Sequence, residues 1–404
     1  MTRNLRLTPF LLVLCLLSAL FPPSILGTQN PVFSTQTKLI DPNPNAVGNY
    51  GLAIDVDGDT AVVTRLANSF TGVPGAVFIY VRDGSSWSLQ QTLTDPNAAP
   101  QVDNGFGYSV ALKGDTLVVG AIGDSTAASN AGAAYVYVRN GTTWTLQQQL
   151  TAALPVSNSN FGISVDVSAD TVVVGAHLAD SAYVFQRAAG VWTQQQQLLP
   201  GGAPEQSFGL SVSISGQTIA VGAASYSEPG AESAGAIYVF VNNGSAWVQQ
   251  QRFTAHVAED GQNLGYTVAI SGDTIVASAP GEKVGAHSSG AVYIFERSGV
   301  NWDQKKRLVE KSGGKLDSYG LRVAIDGDTI VIGNSNNSTV AQYAGAGEVY
   351  VRNGNNSWSL KYVLTANDGG YLDLLGQTVA ISGNTVMLGA PQKNGQRGAV
   401  YIYQ

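Results

Sequence analysis

Tryptophan recurs along this chain at a nearly constant interval, and this spacing constrains the fold more than any other feature of the sequence. The tryptophans are Trp87, Trp144, Trp192, Trp247, Trp302 and Trp358. Successive positions differ by 57, 48, 55, 55 and 56 residues, and each tryptophan follows a turn that contains glycine. A fixed period of this size indicates a repeat architecture, in which each unit packs against its neighbours. The chain of 404 residues is therefore predicted to form one array.

Each period contains four short runs of alternating or β-branched residues, which is the pattern of β-strands. In the second repeat these runs are residues 106–112, 116–121, 132–138 and 144–150. Turn sequences such as "KGD" and "RNGTT" separate them, and Gly and Asn suit such turns because they tolerate positive φ angles. Four strands per repeat predict a blade of a β-propeller.

The number of repeats predicts a closed ring of seven blades. The first strands begin at Tyr50, Phe106, Phe161, Phe208, Leu264, Tyr319 and Leu375. The seventh repeat ends after its third strand, and the segment "FSTQTKLIDPN" from Phe33 aligns with "WSLQQTLTDPN" from Trp87. We therefore predict an all-β, seven-bladed propeller of four-stranded antiparallel blades, in which an N-terminal strand completes the last blade. This single domain is predicted to span residues 31–404.

The first 27 residues have the features of a secretory signal peptide. Arg3 and Arg6 precede the apolar run "FLLVLCLLSALF", which is shorter than the roughly 20 residues of a membrane span, and Gly27 offers a cleavage site. An uncleaved signal anchor is the alternative. The only cysteine, Cys15, lies in this run, so the mature protein is predicted to have no disulfide. We expect a protein that is secreted, extracellular or at the cell surface, with no transmembrane span after cleavage.

The composition narrows the classes of partner. Charged residues make up 12% of the chain and its net charge is −7, with no basic run. Nucleic acids and anionic membranes attract basic surfaces, so neither is expected as the main partner. We expect instead an extracellular protein or glycan ligand, and a monomeric state.

The first and second strands carry a motif from which a known family takes its name. A Phe-Gly pair opens the first strand at Phe106, Phe161 and Phe208, and Gly-Ala-Pro closes the last second strand at residues 389–391. From residue 33 to residue 404 the chain resembles the FG-GAP family, the repeats of the integrin α-subunit head. The resemblance implies a β-propeller, and it implies adhesion, sugar binding or an uncharacterised role without choosing among them.

Integrin-type repeats often carry a calcium loop of the pattern D-x-D-x-D-G between the first and second strands. The nearest match in this chain is "DVDGDT", with Asp55, Asp57 and Asp59, and it is a tight turn. Calcium takes six to eight oxygen ligands, and a turn of two or three residues does not wrap around such an ion. We therefore expect no resident cofactor, and a calcium ion held by these three aspartates is the alternative.

The lengths of the connections predict that binding residues lie on one face of the ring. The turns within the first and last strand pairs of each repeat are short, whereas the other connections are long and variable, as at residues 94–105, 122–132, 224–235 and 254–263. Variable loops on a rigid scaffold often carry binding residues. The candidate binding residues are the acids of these long loops: Asp95, Asp103, Asp124, Glu228, Glu232, Glu259 and Asp260.

Residues suited to catalysis are few. His177, His256 and His287 occupy unrelated positions in different repeats, so they predict no metal site. Asp55 and Asp166 hold the same position in two first strands, and they are either a catalytic pair across a central channel or polar residues that line it.

We predict a secreted, non-enzymatic binding or adhesion module that engages a protein or glycan through the face with the long loops. The alternative is a polysaccharide-active hydrolase or lyase with carboxylates at the mouth of the channel, and a purely structural surface component is a third. If the host is eukaryotic, the candidate glycosylation sites are Asn140, Asn243, Asn337 and Asn355.

Overall fold

Short antiparallel strands make up nearly all of the regular structure, as the alternating sequence pattern predicts. The computed structural model describes residues 33–68, 72–97, 104–201, 206–285, 287–288, 290–310, 319–354 and 357–404. The predicted signal peptide, residues 1–27, lies outside these described residues.

Seven sheets of four strands form the blades. The strands, numbered in chain order, start with β1 (Gln36–Leu39), and blade 1 contains β2 (Ile54–Asp57), β3 (Thr60–Arg65), β4 (Ala76–Asp83) and β5 (Ser86–Thr94). Blade 2 contains β6 (Phe106–Lys113), β7 (Thr116–Ala121), β8 (Ala133–Asn140) and β9 (Thr143–Leu150). Blade 3 contains β10 (Val165–Ser168), β11 (Thr171–Ala176), β12 (Ser181–Ala188) and β13 (Val191–Leu198), with a 3₁₀ turn at His177–Ala179.

The remaining strands repeat this arrangement. Blade 4 contains β14 (Phe208–Ser215), β15 (Thr218–Ala223), β16 (Ala236–Asn242) and β17 (Trp247–Phe253). Blade 5 contains β18 (Val268–Ser271), β19 (Thr274–Ala279), the small hairpin of β20 (Lys283–Val284) and β21 (His287–Ser288), β22 (Ala291–Ser298) and β23 (Asn301–Leu308). Blade 6 contains β24 (Tyr319–Asp326), β25 (Thr329–Asn334), β26 (Ala346–Arg352) and β27 (Trp358–Leu364). Blade 7 contains β28 (Thr378–Ser382), β29 (Thr385–Ala390), the one-turn helix α1 (Lys393–Gln396) and β30 (Ala399–Tyr403).

Within each blade the strand order in the sheet follows the chain, and β1 takes the fourth place in blade 7. The first strand of every blade lines a central channel, so we call these seven the inner strands and the fourth strands the outer strands. The prediction of an all-β propeller with seven four-stranded antiparallel blades is confirmed.

The ring closes because β1 completes the seventh blade, as the sequence predicts. β1 pairs antiparallel with β30, and Gln36 lies opposite Tyr403. The backbone N–H groups of Ser34 and Thr35 also donate to the carbonyl oxygen of Gln404, over 2.7 and 2.9 Å. We call this pairing of the two ends the clasp.

Side chains reinforce the clasp. Phe33 stands where the other outer strands begin with tryptophan, and its ring packs edge-on against Tyr362 of blade 6 with the centroids 5.2 Å apart. Lys38 in β1 pairs with Asp368, in the connection between blades 6 and 7, at 2.6 Å. The clasp is therefore joined to β30 of its own blade, to blade 6 and to the connection that follows blade 6.

The FG-GAP motif marks the places where the backbones of adjacent blades meet. Phe161 is buried, and Gly162 after it has a φ of 92°. A Cβ on Gly162 would lie 2.5 Å from the carbonyl oxygen of Ala133 in blade 2. Gly120 in the Gly-Ala pair of β7 faces this point, because a Cβ there would lie 2.1 Å from the carbonyl oxygen of Gly162. Only glycine allows so close an approach with this backbone conformation.

Glutamine side chains join the outer strands to one another. The amide of Gln148 in β9 donates to the carbonyl oxygen of Trp192 at 2.8 Å and accepts from the N–H of the same residue at 2.9 Å. Gln147 accepts from the indole N–H of Trp192 at 2.7 Å. The same pair of backbone contacts joins Gln91 to Trp144, Gln196 to Trp247, and Gln251 to Trp302.

Deletion of residues 33–40 is expected to lower the melting temperature sharply. The deletion removes β1 and leaves the edge of β30 unpaired, and each lost hydrogen bond contributes about 1 kcal/mol. Thermal unfolding followed by circular dichroism compares this variant with a chain that begins at Phe33. A synthetic peptide of residues 33–40 is expected to restore part of the lost stability. Equal melting temperatures for the two chains would show that the ring does not need the clasp.

Substitution Gln148→Ala is expected to lower the free energy of unfolding by about 1–3 kcal/mol, because it leaves two backbone groups of Trp192 without partners between blades. Urea denaturation measures the difference. Gln195→Ala is the matched control, since Gln195 is exposed and its amide donates to Thr193 of its own strand. If the two substitutions have equal effects, the glutamine contact between blades does not stabilise the ring.

Candidate functional site: the central channel and the long-loop face

The strand order sorts the connections onto two faces of the ring. We call the face with the turns between first and second strands, and between third and fourth strands, the short-turn face. The opposite face carries the connections between second and third strands and those between blades, and we call it the long-loop face. Each inner strand runs from the long-loop face to the short-turn face, so its first residues lie at the long-loop end of the channel.

A repeated group of arginine, aspartate and tryptophan occupies the short-turn face. Arg139 at the end of β8 pairs with Asp115 of its own blade at 2.6 Å. Its guanidinium lies 5.2 Å above the ring of Trp144 and donates to Thr60 of blade 1 at 2.9 Å. The arginine is therefore held at the surface by groups of the protein itself, and its contact with Thr60 joins two neighbouring blades. The arginines that stack on the tryptophan of their own blade are Arg82, Arg139, Arg187, Arg297 and Arg352.

Side chains at the ends of six inner strands link their blade to the turn of the next blade. Asp57 accepts a hydrogen bond from the N–H of Gly114 in the turn of blade 2, at 2.7 Å. Ser382 of blade 7 accepts from the N–H of Gly58 in blade 1, at 3.0 Å, so this chain of contacts crosses the closure of the ring. The residues that make the equivalent contact in other blades are Ser168, Ser215, Ser271 and Asp326.

The three aspartates considered as calcium ligands contact separate partners. Asp55 accepts from a backbone N–H of blade 2. Asp57 also pairs with Lys113 at 2.8 Å. Asp59 accepts from the guanidinium of Arg82 at 2.6 Å. In the part of the chain that the structure describes, no three His, Cys, Asp or Glu side chains come together in an arrangement that could hold a metal ion.

Asp55 and Asp166 line the same cavity of the channel. This cavity, near the short-turn face, has a volume of about 310 Å³ and is lined by residues of all seven inner strands. Asp55 accepts a hydrogen bond of 2.6 Å from the N–H of Leu112 in the next blade. Asp166 accepts one of 2.7 Å from the N–H of Ile214, also in the next blade. Each carboxylate therefore joins its own blade to the neighbour.

Burial raises the pKa of both carboxyl groups. The pKa of Asp55 rises to about 7 and that of Asp166 to about 6, because burial disfavours the charged carboxylate. The hydrogen bonds that each carboxylate accepts favour the charged form, but they offset only part of this effect. A carboxyl group that titrates near neutral pH can donate or accept a proton, as general acid–base catalysis requires. The two aspartates thus combine a structural contact with the capacity to exchange a proton.

The raised pKa of Asp55 makes the stability of the protein depend on pH. The unfolded chain releases this proton near pH 3.8 and the folded chain near about 7, so the folded state binds more protons between these values. The contribution of Asp55 to the free energy of unfolding is therefore expected to fall from about pH 4 to about pH 7. Asp55→Asn removes this dependence, so the variant is expected to gain stability relative to the unsubstituted protein as the pH rises. Urea denaturation at several pH values tests this, and a constant difference would contradict it.

The acids predicted on blade 4 and its connection to blade 5 are brought into one region of the long-loop face. Glu232, Glu259 and Asp260 are exposed, and Glu228 is half-buried. The backbone N–H of Glu232 donates to the carboxylate of Asp260 at 2.9 Å, which ties the two loops together. The three exposed carboxylates give this part of the face a negative charge.

The other predicted acids have different surroundings. Asp124 is 2% exposed, and its carboxylate accepts from the hydroxyl of Tyr135 and from the N–H of Thr126, so it fixes the base of its loop. Asp95 is half-buried and accepts from a backbone N–H of its own turn. Asp103 lies outside the described residues.

Pairs of an acid and a tyrosine anchor other long loops in the same way. Glu282 of blade 5 is buried, accepts from the hydroxyl of Tyr293 at 2.6 Å and pairs with Arg307 at 2.5 Å. In blade 7, the hydroxyl of Tyr401 donates to the carboxylate of Asp368, in the connection from blade 6. Sequence reasoning missed these anchors, although the tyrosine that recurs in third strands such as "AAYVYV" and "AVYIF" was an available signal.

Exposed apolar side chains are concentrated on the long-loop face. Among the described residues, Val191 and Val300 are the large exposed apolar residues at the turns of the short-turn face. Those on the long-loop face are Ile40, Leu154, Val156, Leu178, Leu199, Val257, Val340, Tyr371 and Leu372. The two faces therefore differ in the surface that they offer to a partner.

The candidate glycosylation sites are spread over both faces. Asn140 and Asn243 are exposed on the short-turn face. Asn337 is half-buried on the long-loop face, where its amide lies 3.4 Å from Glu310. Asn355 lies outside the described residues.

Among the residues that the structure describes, no helix has the length and hydropathy of a membrane span.

The repeats identify the family. The sequence model of the FG-GAP repeat matches residues 87–137, 144–185, 192–240, 247–295, 302–352 and 358–403. Each matched segment begins with the tryptophan of an outer strand and ends in the third strand of the next blade. The chain belongs to the FG-GAP repeat family. No curated protein matches its sequence.

Solved structures share the propeller fold at low sequence identity. A proposed 6-phosphogluconolactonase from Bacteroides uniformis superposes with a TM-score of 0.55 at 13% identity, covering 78% of this chain and 85% of that one. A protein from Lactobacillus plantarum has a TM-score of 0.54 at 13% identity, with 83% and 90% covered. A chain of a mitotic checkpoint complex has a TM-score of 0.56 at 10% identity, with 93% and 96% covered. Such likeness shows the fold alone, because one fold serves unrelated functions.

Proposed function

We propose that this protein is a secreted, non-enzymatic binding or adhesion module that engages a protein partner through the long-loop face. The observation that carries the proposal is the uneven distribution of exposed apolar side chains. Nine large ones lie on the described part of the long-loop face, against two at the turns of the opposite face. Large apolar residues that are grouped on one face of a protein lower its solubility, and such grouping commonly marks an interaction site.

Four of these exposed apolar residues lie in blade 3 or in the connections on either side of it. Its second and third strands are joined by only a short connection with a 3₁₀ turn at His177–Ala179. Leu178 in this turn is 61% exposed, and Leu154 in the connection before the blade is 82% exposed. Val156 and Leu199 flank the blade in the same way. We call these four residues the blade 3 patch.

The composition of the face favours a protein over a glycan. Eight of the nine exposed apolar residues are aliphatic, and Tyr371 is the aromatic one. Aliphatic side chains gain by removal from water against other apolar groups, and they offer no hydrogen bond to sugar hydroxyls. The acids Glu232, Glu259 and Asp260 lie on the neighbouring blade, so the surface suits a partner with an apolar centre and basic side chains at its rim.

The blade 3 patch is expected to be required for binding. The triple substitution Leu154→Ser, Leu178→Ser and Leu199→Ser is expected to weaken the affinity for a protein partner at least ~10-fold, because it removes three apolar side chains whose burial against the partner favours binding. Purified secreted and cell-surface proteins of the source organism are screened by surface plasmon resonance, with a glycan array in parallel. Neutralising Glu232 and Glu259 as glutamine is expected to slow association and to reduce its dependence on salt.

A matched control removes the same number of leucines elsewhere. Leu89, Leu146 and Leu360 lie on outer strands and are 42%, 43% and 39% exposed, so their change to serine is expected to leave binding intact. Equal binding by the two triple variants would contradict the proposed surface. Binding to glycans alone, with no loss in the blade 3 variant, would contradict both the surface and the class of partner.

A hydrolase or lyase is the second candidate, and the observation that favours it is the shared cavity of Asp55 and Asp166 with their raised pKa values. One protein of similar fold is a proposed lactonase. Chromogenic glycosides and lactones, assayed with and without a chelator, test this candidate. Turnover that disappears in a folded Asp55→Asn variant would replace the binding proposal with an enzymatic one.

A further inference from the structure

A second cavity occupies the long-loop end of the channel. It has a volume of about 270 Å³ and is lined by residues near the start of all seven inner strands. Its walls combine tyrosine and aliphatic side chains, such as Tyr108, Tyr266 and Leu210, with hydroxyl groups. Of the described residues that line it, Arg322 alone is charged. We call it the upper cavity.

Arg322 departs from the pattern of its own repeat. The equivalent residue in every other blade is small: Ala53, Ser109, Ser164, Ser211, Thr267 and Thr378. Several of the hydroxyl groups donate to a backbone carbonyl of the next blade, as Ser109 does to Gly162 at 2.8 Å. Because a small residue serves the fold at six positions, the fold by itself does not require arginine at the seventh.

The contacts that the described residues make with the Arg322 guanidinium use only a small part of its hydrogen-bonding capacity. Nη1 donates to Thr267 at 3.4 Å and to the carbonyl oxygen of Leu321 at 3.3 Å, longer than the 2.7–3.2 Å of typical hydrogen bonds. The guanidinium also lies 5.6 Å from the ring centre of Tyr266, within the range of a cation–π contact. Within the described residues, these contacts include no carboxylate. The cation is thus half-buried in a cavity where no carboxylate of the described residues pairs with it.

We propose that the upper cavity binds a small organic monocarboxylate, whose carboxylate is held by the guanidinium of Arg322. The planar fork of arginine matches the two oxygens of a carboxylate and forms paired, charge-assisted hydrogen bonds with it. One guanidinium balances one negative charge, whereas a phosphate dianion would leave a second charge without a partner. The tyrosine and aliphatic walls provide for the carbon frame of the ligand, which an inorganic anion lacks.

The position of the site in the channel agrees with this charge. Asp55 and Asp166 line the other cavity, toward the short-turn face, so an anion beside Arg322 lies at the end of the channel away from them. The upper cavity is also separate from the blade 3 patch, which lies on the outer surface. The proposed ligand site in the upper cavity can therefore be tested independently of the proposed protein interface at the blade 3 patch.

Isothermal titration calorimetry on the purified protein tests the proposal with D-glucuronate, D-galacturonate and benzoate as probes. At least one of these acids is expected to bind saturably, and its methyl ester, which has no charge, is expected to bind at least ~10-fold more weakly. Arg322→Ser introduces the residue that three other blades carry here, so the variant is expected to fold. It is expected to lose affinity for the acid at least ~10-fold, and Arg322→Lys is expected to retain part of it because the charge remains without the planar fork.

Arg397→Ser is the matched control. Arg397 is exposed in a long loop of blade 7 and does not line the upper cavity, so its removal changes the net charge equally and is expected to leave binding unchanged. The proposal would be overturned if Arg322→Ser bound the acid as tightly as the unsubstituted protein, or if the acid and its methyl ester bound equally well. It would also be overturned if Arg397→Ser lost as much affinity for the acid as Arg322→Ser. The absence of saturable binding by all three acids up to their solubility limits would overturn it as well.

Discussion

The pairing of β1 with β30 is the contact on which the rest of this structure depends. A ring of blades gives every blade a neighbour on both sides, whereas an open stack exposes a sheet face and a strand edge at each end. The links from Ser382 to Gly58 and from Thr378 to the carbonyl oxygen of Gly51 cross the closure of the ring. The channel exists only when all seven inner strands surround it, so both cavities rest on the same closure.

Much of the fold could be predicted from the sequence because its determinants are local and repeated. A turn such as "KGD" and the alternation around it specify a hairpin without reference to distant residues, and each period repeats the same information. The missing fourth strand could be recognised because Phe33 begins a segment that aligns with the one at Trp87. The repeated aromatic residue and glycine of the motif could be seen in the sequence, and the structure explains them as a close approach of backbones between blades.

The contacts between blades could not be predicted in the same way, because their two partners lie about fifty residues apart and the sequence does not show which groups face each other. Gln148 and Trp192 are each part of an obvious repeat, yet their mutual hydrogen bonds emerge only when the blades are placed side by side. Asp57 gave the pattern of a shortened calcium loop, and its carboxylate instead joins one blade to the turn of the next. Arg322 is not recognisable from the repeat pattern, because that pattern is defined by the residues the blades share and Arg322 differs from all six equivalents.

The clasp also fixes where the two ends of the propeller emerge. Ser34 and Thr35 bond to Gln404 beside the start of β29, on the face opposite the long loops. A tether fused at Gln404 would therefore leave the protein from the short-turn face. A propeller immobilised in this manner would present the blade 3 patch and the mouth of the upper cavity outward, unobstructed by its own support.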